Sequence, residues 1–343
     1  MGKGSRILVT GGAGYIGSHT IIELLEHWQG EVVSIDHYAN SDPATFDRIE
    51  RITGRRVRNH AVDLCDKPAL DRVLAAEKDI VGVIHFAAFK SVPESMADPH
   101  KYYHNNIASL LNLLQGCVAH DIRHFIFSSS CSVYGNIAEL PVGENTTLGK
   151  AESPYAYTKQ IGERIVQDYA RVHPAMRLIA LRYFNPVGAH ASGSIGEAPI
   201  NAPSSLVPII TRTANGRIAQ MTVHGSDYAT RDGSCIRDYV HVSDIASAHV
   251  KALHHALGGS MDTAYDVINL GTGEGVSVFE AIAAFEEVSG VKLNYRVGPR
   301  RDGDVGAIYS DTTRSRSVLG WVAERDLRTM MSTAWLWEKR STM

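Results

Sequence analysis

The residues of this chain best suited to chemistry lie in Ser153-Pro154-Tyr155-Ala156-Tyr157-Thr158-Lys159. A serine followed by proline reads as the cap and first residue of a helix, and a helix puts Tyr155 and Lys159 on one face. A phenol becomes a useful base only when its anion is stabilised. Lowering it from about 10 to about 7 takes roughly 4 kcal/mol, which an ammonium one turn away and a second cation in a dry site can supply. By itself the Tyr-x-x-x-Lys spacing describes an ordinary exposed helix pair. Its chemical sense comes from Phe125-Ile126-Phe127, an apolar strand ending in Ser128-Ser129-Ser130. A serine at the carboxyl edge of an open α/β sheet can pass a proton to Tyr155, whereas a polar strand cap suits Ser128 or Ser129 equally well.

The second cation is implied by Gly11-Gly12-Ala13-Gly14-Tyr15-Ile16-Gly17, set between an apolar strand and a helical run. Small residues there let the backbone approach a pyrophosphate, met by amides and the positive end of the helix. Asp36 ends the next strand about 20 residues on, where a carboxylate accepts from a ribose 2′-OH and repels a 2′-phosphate. The pattern therefore favours NAD over NADP, and oxidised nicotinamide is the second cation. Gly271-Thr272-Gly273-Glu274-Gly275 also follows a strand and precedes a helix. There Ser277 and Glu280 form a capping box that satisfies the helix amides, so no pyrophosphate is expected.

The elements that must position these residues follow from periodicity. Ile7-Leu8-Val9 is a short strand, Ile16 to Trp28 is helical, and Glu31 to Ile35 is the next strand. Further strands are predicted near 56–61, 80–86, 123–128 and 176–182, alternating with helices near 66–77, 101–119 and 155–172. The rhythm implies an α/β fold, a Rossmann-type doubly wound parallel sheet with helices on both faces. After Phe184-Asn185-Pro186, a Gly, Ala, Ser and Pro-rich stretch through Pro203 breaks the repeat. Residues 1–185 are thus expected to form an NAD-binding Rossmann domain, and 186–343 mostly a smaller C-terminal α/β substrate-binding lobe. Tyr265 to Leu270 reads as a buried strand, so part of about 232–275 is expected to return to the first domain.

Lys plus Arg number 34 against 37 Asp plus Glu, which leaves no overall positive field to hold nucleic acid. Met1-Gly2-Lys3-Gly4-Ser5-Arg6 runs straight into the first strand without a long apolar segment, so a cytoplasmic chain with no membrane association is expected. Cys65, Cys117, Cys131 and Cys235 have neither paired nor metal-ligand spacing and are expected to be reduced. His100 and His104 have an i,i+4 spacing but no third ligand beside them, so no catalytic metal is expected.

Together the glycine loop, His85-Phe86-Ala87-Ala88, Ser128-Ser129-Ser130, Tyr155-x-x-x-Lys159 and the run from Leu181 to Ala189 resemble the UDP-glucose 4-epimerases, extended short-chain dehydrogenases/reductases. The similarity runs almost end to end. It implies Ser130 as the active serine, Tyr155 as base, and Lys159 as its electrostatic partner and nicotinamide-ribose ligand. It also implies an NAD site of Gly11, Gly14, Tyr15, Ile16, Gly17, Asp36, Asn40, Ser41, Asp63, Leu64, Phe86, Ala87, Lys90, Asn105 and Phe184, with Ser130, Tyr155 and Lys159. For a UDP-sugar it implies Lys90, Ser130, Tyr155, Asn185, Ser205, Leu206, Thr222, His224, Arg237, Tyr239, Arg301, Asp304 and Ile308. The arginines of Ile236-Arg237-Asp238-Tyr239 and Pro299-Arg300-Arg301-Asp302-Gly303-Asp304 suit a diphosphate because their forks donate two bonds, although either can instead pair with a nearby Asp.

The activity so implied is inversion at C4 of a UDP-hexose through a transient 4-keto sugar, by a homodimer built on the helices near 101–119 and 155–172. Sugar-nucleotide 4,6-dehydratases and decarboxylases are similar, but carry carboxylates just before Val-Tyr-Gly, where Cys131-Ser132 stand before Val133-Tyr134-Gly135. A catalytically silent NAD-sensing protein has no need of the full Ser130, Tyr155 and Lys159 set. Departures from the family pattern cluster near the substrate: His37 replaces the usual Asn after Asp36, and His224 stands where an aromatic packs on uracil. Ser205 replaces an Asn, and Ile308 holds the position whose bulk gates N-acetylated sugars. These leave open glucose/galactose, their N-acetyl forms or another pair.

Overall fold

Local chemistry accounts for where the elements begin. Asp66, Ser91, Asp98 and Ser153 each accept the N3 amide of the helix they precede, and each helix has proline in its first turn. In chain order the elements of this computed structural model are β1 (Arg6–Thr10), α1 (Tyr15–His27), β2 (Glu31–Ile35), α2 (Ala44–Thr53), β3 (Arg58–His60), α3 (Lys67–Ala76), β4 (Ile80–His85), α4 (Val92–Ala97), α5 (Pro99–Ala119), β5 (His124–Ser130), a 3-10 turn (Cys131–Tyr134), α6 (Pro154–Val172) and β6 (Arg177–Tyr183). They continue as β7 (Asn185–Val187), α7 (Leu206–Ala214), β8 (Met221–His224), β9 (Ile236–Arg237), β10 (Tyr239–His241), α8 (Val242–Leu257), β11 (Tyr265–Leu270), β12 (Val276–Ser277), α9 (Val278–Ser289), β13 (Tyr295–Gly298), β14 (Ala307–Ile308), α10 (Thr313–Leu319) and α11 (Leu327–Ser341). The structure describes residues 4–200, 203–301 and 304–341. Met1-Gly2-Lys3 of the amino-terminal run, Asn201-Ala202 of the Pro-rich stretch and Asp302-Gly303 of the arginine run lie outside them.

The chain forms two compact units. The first comprises Met1–Val133, Ala151–Arg182 and Ala246–Ile268, and the second Tyr134–Lys150, Tyr183–Ile245 and Asn269–Met343. The seven-stranded parallel sheet has the order β11-β6-β5-β4-β1-β2-β3, a Rossmann-type arrangement. Its strand order reverses at β1, which pairs with both β2 and β4, and such a switch point opens a crevice at the carboxyl ends of the strands. Alternate residues divide the sheet between two layers. Leu8, Val33, Val83, Phe125 and Leu178 pack with Leu70, Leu110, Leu113 and Val166 of α3, α5 and α6. Ile7, Val9, Ile84, Ile126 and Ile179 point the other way and are equally buried, and on that face a Cβ at Gly82 would meet Leu253 of α8.

Three features differ from the periodicity. Helices α2 and α4 were hidden because α2 buries only Thr45 and Ile49, and α4 has six residues. Strand β5 runs through Ser130 rather than stopping near 128, since the buried serines find hydrogen-bond partners. Strand β11 joins the sheet, but its first half is only partly buried because it is an edge strand. In the second unit, α7, α9 and α11 pack on β8 and β10 through Val207, Ile210, Met221, Tyr239, Phe285 and Met331, beside sheets of two or three strands. No helix among the described residues is long and apolar enough to cross a membrane.

Candidate active site

Strand β5 and helix α6 bring Ser130, Tyr155 and Lys159 together in the first unit, all nearly inaccessible. Ser153 caps α6 by accepting from the Ala156 amide at 3.2 Å, which fixes the turn that carries Tyr155. The three serines of β5 take separate partners. Ser128 Oγ lies 3.2 Å from His249 Nε2, and Ser129 Oγ donates to Glu163 Oε1 at 2.5 Å. Ser130 Oγ accepts from the Ser132 amide at 3.2 Å and hydrogen-bonds the Tyr155 phenol. The polar caps are therefore Ser128 and Ser129, and the serine at the phenol is Ser130.

Burial dominates the electrostatics of the phenol. Burial pushes the Tyr155 phenol up to about 12, and the Ser130 hydrogen bond, which lowers it, only partly offsets this. Lys159 Nζ donates to the Ser128 carbonyl at 2.8 Å and lies 6.0 Å from the Tyr155 ring centroid. Burial also lowers the lysine itself to about 8, against the opposing pull of the Glu163 carboxylate. In this dry wall the chain alone favours a neutral phenol, so activation needs a further positive charge.

Several residues hold this cluster, and of them sequence reasoning had singled out only His85 and, within the run from Leu181 to Ala189, Arg182. Glu163 lies one turn beyond Lys159 and receives Arg182 through two bonds, Nε to Oε1 at 2.9 Å and Nη2 to Oε2 at 2.7 Å. Asn106 on α5 accepts from the Phe89 amide at 2.9 Å and donates to the Phe89 carbonyl at 3.0 Å and to Thr158 Oγ1 at 3.1 Å, so it joins the Lys90 loop to α6. His85 is pushed down to about 3, first by burial and then by Lys159, and its Nδ1 lies 2.7 Å from Thr10 Oγ1. The i,i+4 step from Lys159 was the one sequence signal available for Glu163.

The glycine loop fits a dinucleotide. Gly11 has φ +72°, and a Cβ there would lie 2.8 Å from the Ala87 nitrogen. A Cβ on Gly17 would lie 2.2 Å from the Gly11 carbonyl oxygen, so this glycine lets α1 pack onto the loop. Gly14 begins α1 with no side-chain cap and no acid in the first turn, as an incoming phosphate requires. Asp36 is tied to the loop: Oδ2 accepts from the Ala13 amide at 3.0 Å, and Oδ1 from the Tyr38 amide at 2.8 Å and Ser41 Oγ at 2.9 Å. Around it, Asn40 is exposed, Ile16 and Leu64 are buried, and Asp63 Oδ1 accepts from the Cys65 amide at 2.8 Å. The Phe86 ring is 4.7 Å from that of His249, the Lys90 ammonium is 5.8 Å from the Tyr15 ring, and Asn105 donates to Asn106 at 3.0 Å.

The remaining residues lie in the second unit. Phe184 is 1% exposed with its ring 6.4 Å from Tyr134, and its amide donates to the Leu270 carbonyl at 3.0 Å. Asn185 Oδ1 is buried with no hydrogen-bond partner among the described residues, an acceptor that a ligand hydroxyl would satisfy. Ser205 precedes α7 without capping it, beside Leu206, and Thr222 and His224 share one face of β8 with His224 exposed. Arg237 Nη1 donates to the carbonyls of Ile236 at 2.9 Å and Val305 at 2.8 Å, while Nη2 lies 3.8 Å from Asp304. Arg301 pairs with Asp304 through two bonds of 3.1 and 2.9 Å. Tyr239 and Ile308 are buried, and Ile308 stands opposite Arg237 in the β14–β9 pairing. The second glycine loop has the expected capping box, with the Ser277 amide donating to Glu280 at 2.8 Å and the Glu280 amide to Ser277 at 3.1 Å.

The chain as a whole is similar to known proteins. The profile of the NAD dependent epimerase/dehydratase family matches residues 7–271. A UDP-glucose 4-epimerase of Haemophilus influenzae is 44% identical over 335 residues, covering 98% of each chain. Among solved structures, UDP-glucose 4-epimerase from Bifidobacterium longum in complex with NAD+ and UDP aligns with a TM-score of 0.93 at 42% identity, covering 98% of this chain and 99% of that one. The enzyme from Stenotrophomonas maltophila, with bound NAD and formylated UDP-arabinopyranose, aligns at 0.94 with 42% identity over the same shares. With a glycine loop, a Ser130–Tyr155 hydrogen bond beside Lys159, a family profile over residues 7–271 and relatives matched over nearly their full length, the chain belongs to the NAD dependent epimerase/dehydratase family.

Proposed function

We propose that this protein inverts C4 of a UDP-hexose by an NAD-dependent route through a transient 4-keto sugar. The observation that carries this reading is the buried Ser130–Tyr155 hydrogen bond with Lys159 fixed beside it, in the same unit as an uncapped glycine loop and Asp36. The first unit is then the dinucleotide-binding domain, and Arg237, Arg301, Asn185 and their neighbours in the second unit hold the UDP-sugar. Bound NAD supplies a reversible acceptor for the C4 hydride and the positive charge that the phenol needs. Tyr155 removes the 4-OH proton, directly or through Ser130, and returns it when the opposite configuration forms. Lys159, anchored on the Ser128 carbonyl, keeps a positive charge and a ribose donor in place. Arginine forks on the diphosphate leave the hexose free to present either face.

A cytoplasmic homodimer is part of the reading. The support for the dimer is a set of exposed apolar side chains on the two helices, Tyr103, Leu111 and Val118 on α5 with Tyr157 and Val172 on α6, of which Tyr103 and Tyr157 touch. Separate incubation with UDP-galactose and UDP-N-acetylgalactosamine, followed by NMR of the products and assay of NAD released on denaturation, tests the function. A C4-inverted product with about one NAD per chain is expected. A 4-keto-6-deoxy or decarboxylated product would replace the reading with its dehydratase or decarboxylase relatives.

A further inference from the structure

The second glycine loop has an occupant. Asp238 is fully buried between the two strand residues Arg237 and Tyr239, and its carboxylate accepts five hydrogen bonds from neutral donors. Oδ1 takes the Thr272 amide at 2.8 Å and Thr272 Oγ1 at 2.7 Å. Oδ2 takes the Gly273 amide at 3.1 Å, the Ser310 amide at 3.1 Å and Ser310 Oγ at 2.7 Å. The cradle closes so tightly that a Cβ on Gly271 would lie 2.0 Å from Ser310 Oγ and 2.3 Å from Asp238 Oδ2. A glycine turn with convergent amides is an anion nest, and here the anion is the chain's own side chain.

What this carboxylate joins bears on the substrate. Ser310 lies two residues beyond Ile308, whose strand pairs with that of Arg237. The Asp238 carbonyl accepts from the Asn185 amide at 2.9 Å, and Tyr239 stands opposite Asn185 in the β10–β7 pairing. The Asp238 carboxylate thus ties the Thr272–Gly273 turn and Ser310 to the strand segment of Arg237 and Tyr239, while its backbone carbonyl meets Asn185. Resting on the proposed UDP-sugar reading, we propose that Asp238 is a positioning residue for substrate binding and hexose selection, acting from behind through the Thr272–Gly273 turn and Ser310. Charge-assisted bonds are short and directional, so a carboxylate holds these segments more rigidly than an amide of the same shape. Asn in its place presents an NH2 group to donors on one side, and those donors lose their acceptor.

The test is Asp238→Asn in the NAD-loaded protein, with isothermal titration of free UDP and steady-state kinetics on UDP-galactose and UDP-N-acetylgalactosamine. We expect NAD content to hold and kcat to fall by less than about threefold, while KM and the Kd for UDP rise about tenfold. The preference between the two sugars should shift by about threefold or more as the Ile308 segment loosens. A purely stabilising role would lower the melting temperature and leave KM, UDP affinity and sugar preference unchanged, and that result overturns the inference. Should the Asn variant not fold, Ser310→Ala and Thr272→Val each remove one hydroxyl donor and keep the amides; unchanged KM and UDP affinity in both has the same force. Wild-type protein that neither binds UDP nor inverts UDP-galactose instead removes the reading on which the inference stands.

Discussion

Glu163→Gln attacks the layer behind Lys159. The Glu163 and Arg182 side chains are each 6% exposed, and the carboxylate receives two guanidinium bonds and the Ser129 hydroxyl. The amide keeps one acceptor oxygen but turns an NH2 group toward a donor, and it leaves the buried guanidinium uncompensated. Breaking a buried pair from one side costs about 3–5 kcal/mol, a large share of an ordinary stability of about 5–15 kcal/mol. Removing both partners, in Glu163→Gln with Arg182→Met, should cost less than the two single losses added together, because no unpaired charge remains.

The same change moves Lys159. Its amine titrates near 8 when folded against 10.5 ordinarily, because burial outweighs the attraction of Glu163. Between those values the unfolded chain binds the extra proton, so stability rises with pH there, and the cost of burying the ammonium is full below pH 8. Without the carboxylate this window opens at lower pH, and Lys159 loses charge closer to neutrality. Hydrogen exchange of β5 and α6 amides against pH, with urea unfolding as a check, measures both effects. A Gln variant that loses under about 1 kcal/mol, or a double variant as damaged as the sum of the singles, would refute the reasoning.

Tyr155→Phe removes the phenol oxygen and keeps the ring, so kcat on UDP-galactose should fall by about 10²–10⁴ while NAD content stays near one per chain; near-normal turnover would remove Tyr155 as the base. Gly17→Ala places a Cβ 2.2 Å from a backbone oxygen, which should cost about 1–3 kcal/mol and empty the protein of NAD, read by thermal melting and NAD assay. Gly14→Ala meets only the Gly11 carbonyl oxygen, at 3.2 Å, so its loss of stability should be the smaller of the two.

Much of the first unit could be read from the sequence because its causes are local. A proline after a serine starts α6, and four residues set Tyr155 and Lys159 on one face. Three glycines and an acid at the end of β2 describe the dinucleotide loop, since turn geometry and close backbone approach restrict residue type at each position. Other features required residues far apart in sequence to meet. Which serine of β5 faces the phenol depends on His249 and Glu163 taking the other two, and a phenol at about 12 reflects burial that no spacing reveals. The second glycine loop shows the division clearly: its capping box lay in the sequence, but Asp238, more than thirty residues upstream, fills it only after the strands have folded together. Residue type sets what a group can do, whereas its partners and dielectric surroundings, products of tertiary packing alone, decide its protonation, its orientation and what it holds in place.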